Sequence, residues 1–188
     1  MLMVPQPSVR SVDLHLLPAE EANLPAEADW ISLAQAAGEP NPFFESWYLK
    51  PALDRLREGQ KVWLAQGWSE GALIGLLPLS IQPNYGRTPA RHIGNWTHYQ
   101  CFMGTPLVRA GRELDFHVSL LRALDEAPWV PGFMSLTGLE KDGAGHRGLE
   151  AAARTLGRPA PIVHARERAL LQSELEGEAY LETHVRSK

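Results

Sequence analysis

The chain has one cysteine, Cys101, in 188 residues. That excludes an intrachain disulfide framework and any zinc site built on several thiolates. Long apolar runs are absent too, with nothing near the ~18 consecutive apolar residues a helix needs to cross a bilayer. Nor is there an excess of positive charge: 18 lysines and arginines stand against 22 acids, a formal net charge of -4. Nucleic-acid affinity comes largely from clustered cations that neutralise phosphates, so this balance speaks against a nucleic-acid partner. The densest basic cluster, "HARER", carries its own acid. The opening "MLMVPQPSVR" lacks the basic stretch, apolar stretch and small-residue cleavage site of a secretory signal, and the expected compartment is the cytoplasm. The seven histidines are scattered without ligand spacing, so no metal site is expected. A G-x-S-x-G elbow and a P-loop lysine are also missing.

What is present suits a soluble chain with a single packed core, since 44% hydrophobic and 21% charged residues lie in the ordinary globular range. Alternation in "SVDLHLLP" places Val12, Leu14 and Leu16 on one face of a first strand closed by Pro18. "AEADWISLAQAAG" sets Trp30, Leu33, Ala34 and Ala37 at helical spacing, with Gly38 as a left-handed stop. In "NPFFESWYLKPALDRLREG", Asn41 caps and Pro42 opens a second helix whose apolar stripe is Phe43, Trp47, Leu53 and Leu56. Pro51 should kink or split that helix, and Gly59 should end it.

"KVWLAQGWSEGALIGLLPLSIQ" reads as an antiparallel hairpin turning at Ser69 to Gly71. "PNYGRTPARHIGN" reads as a loop, "NWTHYQCFMGTPLV" as a strand, and "RELDFHVSLLRAL" as a helix presenting Leu114, Val118, Leu121 and Leu124. Beyond these, "GFMSLTGL" is a strand, "HRGLEAAARTLG" a helix ending at Gly157, and "APIVHARERALLQ" a strand. A last helix begins near Ser173 and Glu176, spaced as a capping box, with Arg186 and Lys188 favourable to its dipole.

Two stretches could carry chemistry. In "NWTHYQCFMGTPLV", strand alternation puts Trp96, His98 and Gln100 on one face, Thr97, Tyr99 and Cys101 on the other. A thiol enzyme using His98 and Cys101 is disfavoured by that parity. Tyr99 and Cys101 are expected to pack, while Trp96 and His98 are candidates for bordering a substrate pocket. The second stretch, "GAGHRG" from Gly143 to Gly148, satisfies G-x-G-x-x-G ahead of a helix, with Glu167 about 20 residues on, as a dinucleotide fingerprint asks. Glu140, Lys141 and Asp142 precede it, and acids there repel a phosphate. The alternative is a turn that enters a helix capped by Asp142. Gly143 and Gly145 remain the cofactor-binding candidates, and no catalytic residue is assigned.

The order strand, two helices, hairpin, strand, helix, strand, helix resembles the opening run of the GNAT (acyl-CoA N-acyltransferase) fold. More particularly, "NPFFESWYLKPAL", "ALIGLLPLSI", "NWTHYQCFMGTPLV", "LTGLEKDGAG" and "AYLETHVRSK" together resemble the N-terminal half of the CelD/BcsL family. These are GNAT-type acetyltransferases linked with bacterial cellulose and exopolysaccharide synthesis, related to the tandem Fem-type transferases. The resemblance implies an α/β (α+β) mixed sheet, mostly antiparallel and flanked by helices. It implies an N-terminal GNAT-like domain over 1–172 and, over 173–188, the start of a helix connecting to a second GNAT domain, the chain being truncated before it. That second domain would be the partner and would carry the acetyl-CoA site, the acceptor being an amine, a small molecule or a glycan. In GNAT enzymes the cofactor pyrophosphate sits on N–H groups of a Q/R-x-x-G-x-G/A loop; "EKDGAG" stands in the corresponding place, with Glu140 where glutamine or arginine belongs. The resemblance therefore implies a degenerate loop in a half that is inactive alone. The alternative is a stand-alone, non-catalytic GNAT-like module that binds a glycan or protein through Trp96 and His98.

Overall fold

The computed structural model describes residues 8–167 and 175–184. Strand β1 (Asp13–Pro18) is followed by helices α1 (Glu27–Gln35) and α2 (Ser46–Arg55). The long hairpin β2 (Val62–Ser69) and β3 (Ala72–Gln82) comes next, then β4 (His92–Asn95) and β5 (Leu107–Val108). Helix α3 (Glu113–Glu126), strand β6 (Met134–Ser135), helix α4 (Ala144–Thr155) and helix α5 (Gly177–His184) complete the order. One mixed sheet runs β1-β2-β3-β4-β6, with β5 also paired to β3. Every pairing is antiparallel except β4 with β6. This is the expected mixed α/β architecture, a mostly antiparallel sheet flanked by helices.

The hairpin turn is the one the residues ask for. Glu70 and Gly71 adopt φ of 52° and 76°, the positive pair that a two-residue turn needs to match strand twist. Strand β3 buries Leu73, Ile74, Leu76, Leu77 and Leu79, and because neighbouring side chains point to opposite faces, both faces must be covered. Helix α1 packs on β3 and β5, while α3 packs on β1 and β2. Gly67 and Gly75, paired across the hairpin, lie under the Phe116 ring. A Cβ at Gly75 would stand 2.3 Å from Phe116 Cδ2, so only glycine lets the helix come this close. Trp30 is fully buried and its Nε1 donates to Phe44 O at 2.8 Å, fastening α1 to the turn before α2. Each such fully buried apolar side chain contributes about 1.5–3 kcal/mol relative to exposure.

Several expectations are corrected. Helix α2 runs through Pro51, and the break falls earlier, at Glu45, whose extended backbone (ψ 154°) separates α2 from the single turn Pro42–Phe44. Asn41 does cap that turn, its side chain accepting Phe43 N at 3.0 Å. Trp47 is not on the buried stripe but 64% exposed. Gly38 is not a left-handed stop: φ is positive at Gly59 and Gly157 but not there. A Cβ there would stand 3.2 Å from the Ala110 Cα, a tight contact with the paired backbone.

The loop read over 83–95 ends in strand β4, and the strand read over 95–108 is mostly not one. Residues 96–106 leave the sheet between β4 and β5, which pair with successive stretches of the same strand β3. The strand read in "GFMSLTGL" shrinks to Met134–Ser135, and 159–167 is exposed and irregular rather than a strand. Helix α4 ends as expected, with Gly157 at φ 67° and Arg158 N donating to Ala153 O at 2.8 Å. Of the last helix, Gly177–His184 is seen; Ser173, Arg186 and Lys188 lie outside the described residues.

Candidate functional site

The glycine turn ahead of α4 meets two distant segments. Past α1, Gly38 N donates to Val108 O and Ala110 N to Ala36 O, both at 2.9 Å, so residues 36–38 pair along the free edge of β5. This places Glu39 against the turn. Its carboxylate accepts Thr105 Oγ1 at 2.9 Å on one oxygen and Gly145 N at 3.0 Å on the other. Asn41 Nδ2 donates to Thr105 O at 2.7 Å, closing the cluster from below. Glu39, Asn41 and Thr105 are all buried.

A helix N-terminus presents unpaired N–H groups and a partial positive charge, which makes it a seat for anions. Here the chain's own carboxylate occupies it. A Cβ at Gly143 would lie 2.6 Å from Glu39 Oε2, one at Gly145 2.7 Å from Thr105 Cγ2, and one at Gly148 2.4 Å from Glu113 Cβ. All three glycines of G-x-G-x-x-G are therefore accounted for by internal packing. A diphosphate does not fit: the Gly145 amide is engaged, and a second anion would meet a buried carboxylate at the same place. The acid expected to repel it, Glu140, is exposed at the start of the turn, where its carbonyl accepts Gly143 N at 3.1 Å. Asp142 is not the cap either. It sits at φ 62° with no capping bond, and Gly143 is the N-cap. Glu167 stands in the exposed segment after α4, not at the end of another strand.

A second junction holds the sheet where β4 and β6 part. Asn95 Nδ2 donates to Gly104 O at 3.0 Å and to Thr137 O at 2.8 Å, while its Oδ1 accepts Thr137 N at 3.0 Å. Gly104 N donates to Gly138 O at 2.9 Å, and a Cβ at Gly104 would stand 1.9 Å from Thr137 O. Buried amide and carbonyls are thus mutually satisfied, and the junction has no spare donor with which to polarise a substrate.

The excursion 96–106 rearranges the other candidates. Trp96 is a core residue, 2% exposed, rather than a pocket border. Cys101 N donates to His98 O at 2.8 Å, so 98–101 is a turn and strand parity does not apply. Tyr99, expected to pack, is 80% exposed. Cys101 is half-buried and its Sγ donates to Met103 O at 3.1 Å. Burial pushes that thiol above its ordinary range, the opposite of what a nucleophile needs. His98 stacks on Tyr48 with centroids 5.9 Å apart, and burial lowers its pKa. Gln100 N donates to its Nδ1 at 3.3 Å, leaving the proton of the neutral ring on Nε2.

Among the described residues no group of three or more His, Cys, Asp or Glu is placed to hold a metal ion, and no helix is long and apolar enough to cross a membrane. The one buried side-chain polar atom there without a partner is Nε2 of His117, whose Nδ1 donates to Glu113 O at 2.7 Å. No position-by-position signal in the sequence marked Glu39 or Asn95, since each acts on residues far along the chain.

No family model matches the chain, and no curated protein matches it. Among solved structures, it is similar to the aminoglycoside antibiotic 6'-N-acetyltransferase AAC(6')-IG from Acinetobacter haemolyticus, at 17% identity and TM-score 0.43, covering 86% of this chain and 99% of that one. AAC(6')-Ih from Acinetobacter baumannii aligns at 16% identity and TM-score 0.44, over 88% and 100%. A ribosomal-protein-alanine N-acetyltransferase from Brucella melitensis biovar Abortus 2308 aligns at 15% identity and TM-score 0.43, over 85% and 100%. At this level each is a similarity of general layout only.

Proposed function

We propose that this chain is a GNAT-like unit of an acetyl-CoA-dependent acyltransferase, acting on an amine or sugar-linked acceptor in exopolysaccharide synthesis, and that the unit does not itself seat the cofactor. The observation that carries the second half of this reading is the Glu39 carboxylate on Gly145 N. The first half is supported by the ordered series of segments that resembles the CelD/BcsL N-terminal half. In that arrangement a second GNAT-like domain binds acetyl-CoA, which supplies the acyl thioester.

What this chain's own groups do is structural. Glu39 ends α4 with a charge-assisted cap, and Asn95 keeps β4 and β6 joined at their point of divergence. Glu39 is not free to take a substrate proton while both of its oxygens are engaged, and the Asn95 amide is no base. Isothermal titration of the chain with acetyl-CoA tests the reading. No saturable heat is expected up to millimolar ligand; a micromolar Kd would overturn it.

A further inference from the structure

Three large aromatic side chains project from one part of the surface: Trp47 is 64% exposed, Tyr99 80% and Phe102 61%. They share a common footing. Phe102 meets Phe43 edge-on at 5.8 Å, Phe43 meets Tyr48 at 5.1 Å, and Trp47 meets Tyr48 at 5.6 Å. His98, stacked on Tyr48, meets Tyr99 edge-on at 6.5 Å and leads inward to Trp96 at 5.6 Å. Tyr48 Oη donates to Gln100 O at 3.2 Å, tying α2 to the excursion. Two segments some fifty positions apart thus hold three outward rings on a half-buried aromatic base. Core packing does not account for the outer three, because a ring gains its hydrophobic free energy by leaving water.

The chemistry at this surface narrows the ligand. The neutral His98 ring and the exposed Gln100 amide offer hydrogen bonds without charge. Two ionised groups adjoin Trp47 along the chain: Glu45, whose carboxylate accepts Trp47 Nε1 at 2.8 Å, and Lys50, which is paired with Glu27. An adjoining carboxylate and a lysine already paired do not suit phosphate groups or a nucleic-acid strand, which need a basic track beside the stacking rings. A ring face carries negative quadrupole potential, and what complements it is a flat array of slightly positive C–H groups. A pyranose has that face, with hydroxyls around its rim that both donate and accept.

We propose that Trp47, Tyr99 and Phe102 form a binding surface for a neutral saccharide, whose sugar rings lie on the aromatic faces while Gln100 and Glu45 bond hydroxyls at the rim. The surface shares no residue with the Glu39 turn. It would act as an acceptor-side contact in a transferase and as the recognition site of a stand-alone module, so its test and the acetyl-CoA titration fail independently.

The test is titration of the full chain with cellohexaose and with maltohexaose, two neutral glucans of different linkage, by calorimetry. Saturable binding to at least one is expected, with Kd in the ~0.1–1 mM range that an open surface supports. Trp47→Ala and Tyr99→Ala should each weaken it by about tenfold or more, whereas Trp47→Phe and Tyr99→Phe, which keep a ring, should stay within about threefold. Tyr85→Ala, an exposed ring elsewhere, should leave it unchanged. All these side chains are at least partly exposed, and near-UV circular dichroism verifies that each variant is folded. Failure of both hexasaccharides to bind overturns the proposal. So does binding that is indifferent to Trp47→Ala and Tyr99→Ala. Self-association that those variants abolish, without saccharide binding, reassigns the surface to a protein contact.

Discussion

Glu39 and Gly145 are 106 positions apart, and the carboxylate of one accepts the backbone N–H of the other at 3.0 Å inside the protein. The bond does two things at once. It caps α4 from outside the helix, and it fills the place where a glycine-rich turn would receive an anion.

Glu39→Ala should leave Thr105 Oγ1 and Gly145 N buried without an acceptor. A loss of about 2–4 kcal/mol in urea unfolding is expected. Thr105→Val, which removes one donor and keeps the shape, should cost less, about 1 kcal/mol. Because both substitutions act on the same bond, their costs should not add in the double variant.

At the divergence of β4 and β6, Asn95→Asp keeps the shape of the side chain but cannot donate to Gly104 O and Thr137 O. Burying a carboxylate against two carbonyls should cost about 3 kcal/mol or more. Hydrogen exchange gives the local check. The Thr137 amide, which donates to Asn95 Oδ1, should lose protection in Asn95→Ala before the hairpin amides do.

Gly75→Ala puts a methyl into the Phe116 ring, and about 1–3 kcal/mol of destabilisation is expected from overpacking. Phe116→Leu alone leaves a void. Combined, the two should be less harmful than the sum of their separate effects, a coupling that a double-mutant cycle reads directly.

His117 is buried, and loss of hydration lowers its pKa to about 4, with the bond to Glu113 O opposing only in part. The folded value is below the unfolded value of about 6.5, so the unfolded chain binds the proton first as pH falls. The stability that depends on a neutral His117 is complete above about pH 6.5, declines between 6.5 and 4, and changes no further below that. Unfolding free energies from urea titrations at pH 7 and pH 4 should differ by about 3 kcal/mol less in His117→Phe than in the wild type. An equal difference in both proteins would show that His117 is not the group responsible.

Much of the fold was legible because its signals are local. Alternation in Val12, Leu14 and Leu16 belongs to a strand with one wet face, and Glu70–Gly71 belongs to a tight hairpin. Helical spacing from Leu114 to Leu124 marked α3, and Gly157 marked the end of α4. The stretch from Trp96 to Pro106 misled because its rings and branched residues suit a strand, while nothing within it shows that the edge of β3 away from β2 is already taken, in succession, by β5 and β4. Tyr99 is found in water for that reason, and Trp47 because the backbone breaks at Glu45 and takes it off the stripe begun at Phe43.

The amino-acid sequence by itself determined the hairpin and the long helices, since a helix or hairpin is decided by side chains a few positions apart. It also supplied the glycines at 143, 145 and 148, without saying what would approach them. Only the tertiary structure decided that a carboxylate from the far side of α1 does so, that Asn95 bridges to Thr137, and that rings from two remote segments share one surface. The physical reason is that such contacts are settled by which faces pack together, and a buried hydrogen bond over a hundred positions leaves no period in the chain to be read.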